Sequence, residues 1–185
     1  MAEQHDHQPA PVSTFVFADL VGFTALTEQQ GDEAAADVAL GFARAAQGLA
    51  VEHGAELVKL IGDCVMLRSD SAADAIRLGL RLVCELPRRH ALPPVRAGAH
   101  TGTAVARGTD WFGATVNLAA RVTGAARGGE LLVTEATAGE AAGEADLRLV
   151  DLGPQTFRNI AAPITVWAAH RRRFVLSETT LPVAA

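Results

Sequence analysis

Two acids, Asp19 in FADLVGFT and Asp63 in KLIGD, each stand where a short apolar run gives way to a turn. Acids at the ends of adjacent strands can converge on one edge of a pocket. Paired carboxylates there suit a hard divalent cation and leave coordination positions for phosphate oxygens. Each acid alone is more often a turn residue than a ligand, because aspartate hydrogen-bonds nearby backbone, and spacing does not decide between the two readings. After Asp19 come Gly22 and Thr24, so backbone N–H groups entering a helix could face a bound triphosphate. A second pair, Asn117 and Arg121, is four residues apart on a predicted helix, and both side chains project from one face. Their apolar neighbours Val116, Leu118 and Ala119 predict a deeper setting than that of a solvated stripe. Arg121 could stabilise charge on a reacting phosphate and Asn117 could orient a ribose. A local Asn and Arg pair bracing a loop, or bridging to an acid, explains the same spacing.

The elements that must position these residues can be read from the sequence pattern. Residues 13–18, STFVFA, form a buried strand leading into Asp19. From Asp32 to His53 apolar residues recur at helical spacing, and Gly54 is a natural stop. AELVKLIGDCVMLRS reads as two strands joined by a tight turn at Gly62, so Lys59 and Asp63 flank one turn. Ser71 caps a helix to about Leu86, the segment to Pro94 is a loop, and VRAGAHTGTAV supplies a strand pair. Phe112 to Ala126 is helical. ELLVT is a strand, Glu135 to Ala141 a short helix, and LRLVDLG and ITVWAAH two further strands. The hairpin at Gly62 and the alternation of elements predict an α+β, ferredoxin-like mixed sheet with helices packed on it.

Composition bounds the function. The 185 residues suit one domain, nearly half of them are hydrophobic, and the formal net charge is −5. That charge argues against a general nucleic-acid binder, which needs a basic face. No run approaches the roughly 20 apolar residues of a membrane helix, and the start lacks a signal peptide, so no membrane partner and a cytoplasmic location are expected. Cys64 and Cys84 read as reduced, packed thiols, and His5 and His7 as part of a solvated leader.

Taken together, FADLVGFT, KLIGD, RAGAHTG and DWFGATVNLAARV resemble the class III nucleotidyl cyclase family in order and spacing, over roughly residues 13–170. The resemblance implies a leader over 1–12, a catalytic domain over 13–170 and a tail over 171–185. It implies the conversion of ATP to cyclic AMP in a head-to-tail homodimer whose active sites are shared between subunits. Asp19 and Asp63 resemble the acids that bind two Mg2+ or Mn2+ ions, with Leu20 at the same metal-binding segment. Phe23 and Thr24 fall among its substrate-binding positions. Lys59 and Asp110 look like the base-selecting pair, and Asn117 and Arg121 like the ribose-orienting and transition-state residues. A lysine donor near N1 and an aspartate acceptor near the exocyclic amine fit adenine, whereas guanine offers a carbonyl and a protonated N1. A guanylate or other nucleotide cyclase, or a silent nucleotide-binding dimerisation module, would lack one or more of these six side chains, and none is missing.

Some features depart from the family's pattern. Ala114 stands where many relatives carry a polar residue, and the short segment from Thr101 to Asp110 implies a reduced dimer-bracing arm and weak dimerisation. Arg158 in TFRNI is a candidate for the terminal phosphates, with a structural arginine as the alternative. Arg171 to Arg173 read as a solvated tail, and His100 as packed rather than catalytic.

Overall fold

The computed structural model describes residues 11–172. Its first half builds β1 (Val12–Leu20), α1 (Phe23–Gln30), α2 (Asp32–Glu52), β2 (Glu56–Ile61), β3 (Cys64–Ser69), α3 (Ala72–Cys84) and α4 (Leu86–His90). The second half adds β4 (Val95–Thr103), β5 (Val105–Arg107), β6 (Asp110–Phe112), α5 (Ala114–Ala125), β7 (Leu131–Thr134), α6 (Glu135–Glu140), β8 (Leu147–Gln155) and β9 (Ile164–Arg171). Seven strands form one sheet in the order β2-β3-β1-β4-β7-β9-β8, with β4 and β7 parallel and the other pairs antiparallel. The first four strands and their helices make the β4-β1-β3-β2 order of a ferredoxin-like unit, as the sequence predicts.

Apolar patterning dictates the layers. One face of the sheet carries Val16, Ala18, Val65, Leu67, Ala97, Ala99 and Val133, which pack with Phe42 and Ala46 of α2 and with Ile76 and Leu80 of α3. On the other face α5 lies across the sheet. Its Val116 and Ala119 meet Phe15, Phe17 and Met66, and its Leu118 and Val122 meet Leu132, Val166 and Ala168. Ser71 caps α3 by accepting a hydrogen bond from the Asp74 amide, and Gly62 takes φ +62 in the β2–β3 turn.

Three local readings are corrected. The segment before Pro94 is not all loop, because Leu86–His90 forms a helical turn in which Pro87 occupies an early position that needs no N–H donor. VRAGAHTGTAV is one nine-residue strand followed by the short β5, not a pair within the main sheet. Helix α5 starts at Ala114, since Asp110–Phe112 pairs with β5 as a two-stranded ribbon. The expected leader at 1–12 and tail at 171–185 each overlap the sheet by one residue, since Val12 opens β1 and Arg171 closes β9, where it pairs with Glu85 at 3.3 Å rather than standing in a solvated tail. Residues 1–10 and 173–185, with His5, His7 and Arg173, lie outside the described residues.

Candidate active site

The antiparallel registers bring the two acids together. In β1, Asp19 pairs with Cys64 of β3, the residue after Asp63, and on its other side with Arg96 of β4. Burial and the neighbouring Asp19 carboxylate, in that order, push the Asp63 carboxyl up to about 6, with Arg96 partly opposing the rise. Arg96 donates to Asp19 Oδ2 from Nε at 2.8 Å and from Nη2 at 2.5 Å. Of the two carboxylates, only Asp19 is bonded to the one guanidinium beside them, leaving one uncompensated negative charge when both acids are ionised. This donor set fits a divalent cation: oxygen ligands only, excess negative charge, and too few protein ligands to fill the coordination shell without phosphate or water. No group of three or more His, Cys, Asp or Glu side chains that could hold a metal by itself occurs among the described residues. The side chain of Leu20 is buried in the core, so only its backbone carbonyl can serve as a ligand. Beside the acids, burial and then the Asp19 charge raise the Cys64 thiol to about 12, which keeps it protonated.

Past Asp19 the chain turns at Gly22, whose φ of +80 starts α1. Phe23 anchors that turn against the core while Thr24 is exposed in the first turn of the helix. Lys59, on β2, donates from Nζ to Asp110 Oδ2 at 2.7 Å and lies 5.7 Å from the Phe112 ring centroid. Asp110 is held below the usual carboxylate range by that hydrogen bond and by the Trp111 amide. The ribbon carrying Asp110 is fixed by Trp111, which packs on Phe15 at 5.7 Å and lies beneath the Arg68 guanidinium at 4.6 Å.

Asn117 and Arg121 share one face of α5, but both are exposed, which corrects the deeper setting expected from their neighbours. Val116, Leu118, Ala119 and Val122 turn to the sheet, leaving Asn117, Ala120, Arg121 and Gly124 outward. Among the described residues Arg121 makes no ion pair. One chain therefore gathers Asp19 with Asp63, and Lys59 with Asp110, while among the described residues Asn117 and Arg121 neither hydrogen-bond nor ion-pair with either pair. Arg96 is a functional candidate that the sequence reading missed, although it opens the RAGAHTG segment. Arg158 is exposed between β8 and β9, at the sheet end opposite Asp19. His100 is packed, with Nδ1 2.7 Å from Thr134 Oγ1, and burial lowers its pKa.

The sheet and its covering helices, with the Asp19–Asp63 and Lys59–Asp110 pairs and the exposed face of α5, match a class III cyclase fold. The sequence model of the adenylate and guanylate cyclase catalytic domain matches residues 5–159, and the chain belongs to that family. It is 37% identical over 162 residues to a pH-sensitive adenylate cyclase of Mycobacterium tuberculosis, an alignment covering 85% of this chain and 40% of that protein. It is 40% identical over 124 residues to an adenylate cyclase of Streptomyces griseus, covering 67% of this chain and 31% of that protein. The chain thus spans less than half the length of these relatives. The crystal structure of the adenylyl cyclase CyaB from P. aeruginosa shares the fold, with a TM-score of 0.76 at 23% identity, covering 90% of this chain and 97% of that one.

Proposed function

We propose that the chain is an adenylate cyclase that converts ATP to 3′,5′-cyclic AMP and pyrophosphate at two sites, each shared between two copies of the chain. The observation that carries this reading is the separation of the six side chains. Asp19 and Asp63 meet at one end of the sheet, whereas Asn117 and Arg121, exposed on α5, make no hydrogen bond or ion pair to either acid among the described residues, although the α5 carbonyl of Gly124 lies 3.5 Å from Arg96 Nη1. A second copy supplying its α5 face, with its Lys59 and Asp110, completes the set.

Asp19, Asp63 and the Leu20 carbonyl would hold two Mg2+ or Mn2+ ions, and Arg96, bonded to Asp19, would balance part of the acids' charge. The ions, when bound, lower the pKa of the ribose 3′-hydroxyl and neutralise phosphate charge. Phe23 and Thr24 place the amides of the first α1 turn near the phosphates. Lys59 donates to N1 of adenine and Asp110 accepts from its exocyclic amine. Asn117 orients the ribose, and Arg121 meets charge developing at the α-phosphate as pyrophosphate leaves. Residues 13–170 form the catalytic domain. No helix among the described residues is long and apolar enough to cross a membrane.

Complementation tests the shared site. Asp19→Ala and Arg121→Ala are each inactive alone. Mixed and allowed to exchange subunits, they regain about a quarter of wild-type activity, since half of randomly paired dimers are mixed and each holds one intact site. Absence of recovery, with mixed dimers shown to form, refutes the shared-site reading.

A further inference from the structure

Helix α5 lies on β4 through two glycine–threonine contacts. A Cβ built on Gly98 would sit 2.7 Å from both Cα and Oγ1 of Thr123, and closer still to its amide nitrogen. A Cβ on Gly102 would sit 2.8 Å from Oγ1 and 3.2 Å from Cγ2 of Thr115. The same threonines tie the helix down. Thr115 Oγ1 donates to the Thr103 carbonyl at 2.6 Å, and Thr123 Oγ1 lies 2.9 Å from the Ala119 carbonyl and 3.3 Å from that of Phe17. Thr115 and Thr123 are eight residues apart and lie under the two ends of the helix, with Asn117 and Arg121 between them on the opposite face. The seam therefore sets the height of the helix above the sheet along the whole length that carries the two exposed polar side chains.

The geometry points to Gly98 and Gly102 as positioning residues that fix how far Asn117 and Arg121 stand out toward the partner's nucleotide. The inference rests on the shared-site reading. Gly98 meets helix backbone, which cannot rotate away, so Gly98→Ala lifts the Arg121 end of α5 by about 1 Å, and a misplacement of that size costs about 100-fold in turnover. Gly102 meets only a side chain. Its effect is relieved by shortening that side chain, because Thr115→Ala leaves only Cβ, at 3.6 Å.

The specificity of the effect separates positioning from general damage. Gly98→Ala keeps its own metal half and loses its α5 half. Mixed with Asp19→Ala, which has an intact α5, it recovers activity to the level of the Asp19→Ala and Arg121→Ala mixture. Mixed with Arg121→Ala, it recovers nothing. Independently, Gly102→Ala lowers kcat about tenfold or more, and the double variant Gly102→Ala/Thr115→Ala returns toward wild type although Thr115→Ala alone does not raise activity. This second arm decides the matter if Gly98→Ala fails to fold. Recovery of Gly98→Ala by Arg121→Ala, or a double variant no better than Gly102→Ala, overturns the inference. If the Asp19→Ala and Arg121→Ala control mixture itself stays silent, the shared-site reading fails instead, and the Gly102/Thr115 arm still tests the seam.

Discussion

Replacing Asp19 by Asn should stabilise the metal-free protein near neutral pH while removing its response to divalent cations. The reason is the Asp19, Asp63 and Arg96 cluster, which carries one net negative charge when both acids are ionised. The Asp63 carboxyl stands at about 6 against an ordinary 3.8, raised by burial and then by Asp19. A folded value above the unfolded one means that ionised Asp63 costs stability above pH 6, and the cost is recovered as pH falls through about 6 toward the unfolded value. A rise from 3.8 to about 6 corresponds to about 3 kcal/mol, reduced to about 1–2 kcal/mol because Asp63 is partly open to solvent. Asp19→Asn removes the Coulombic share and frees Arg96 for Asp63, so the melting temperature in EDTA should rise by about 2–4 °C near pH 7 and change little near pH 5. His100 and His53 act in the opposite direction on acidification, since burial lowers both their pKa values and charging them below about 6.5 costs stability. Comparing the two proteins at each pH cancels that contribution. Added Mn2+ should raise the wild-type melting temperature more near pH 7 than near pH 5, and barely move Asp19→Asn. A variant that is destabilised equally at both pH values, with an unchanged response to Mn2+, would refute the reasoning.

Lys59→Glu removes the donor to N1 and places a carboxylate beside Asp110, so kcat/KM for ATP should fall at least about 100-fold in a steady-state assay, with folding intact by circular dichroism. Arg121→Ala should lower turnover about 100- to 1,000-fold yet change stability by less than about 0.5 kcal/mol in urea titrations, because the side chain is exposed and unpaired among the described residues. The β5–β6 ribbon has only three residues in each strand, and on the proposal that it braces the dimer, dimerisation should be weak and specific activity should rise with enzyme concentration. Strict proportionality from dilute to concentrated enzyme would reject that expectation.

The parts of the fold that the sequence announces are those with strong local patterning. The β2–β3 hairpin is marked by two apolar runs around Gly62, and α2 by apolar residues at helical spacing ending near Gly54. Asp110–Phe112 is too short for a strand period to register, so its last residue, Phe112, reads as the start of the following helix. Pro87 reads as a helix breaker although it occupies a position in α4 where its missing N–H is harmless. The depth of Asn117 and Arg121 was misjudged because neighbours in sequence are not neighbours in facing: the helical turn of about 100° per residue sends Val116 and Leu118 inward and Asn117 outward. Arg96 was invisible as a partner of Asp19 because their contact depends on the register of two strands separated by 77 residues.

The most direct measurement of the central claim is the product formed by the purified chain with Mn2+ or Mg2+ and each nucleoside triphosphate in turn. The account predicts cyclic AMP and pyrophosphate in equal amounts from ATP, with far less product from GTP. Folded protein that leaves ATP unchanged under every condition, or that favours GTP, would contradict it.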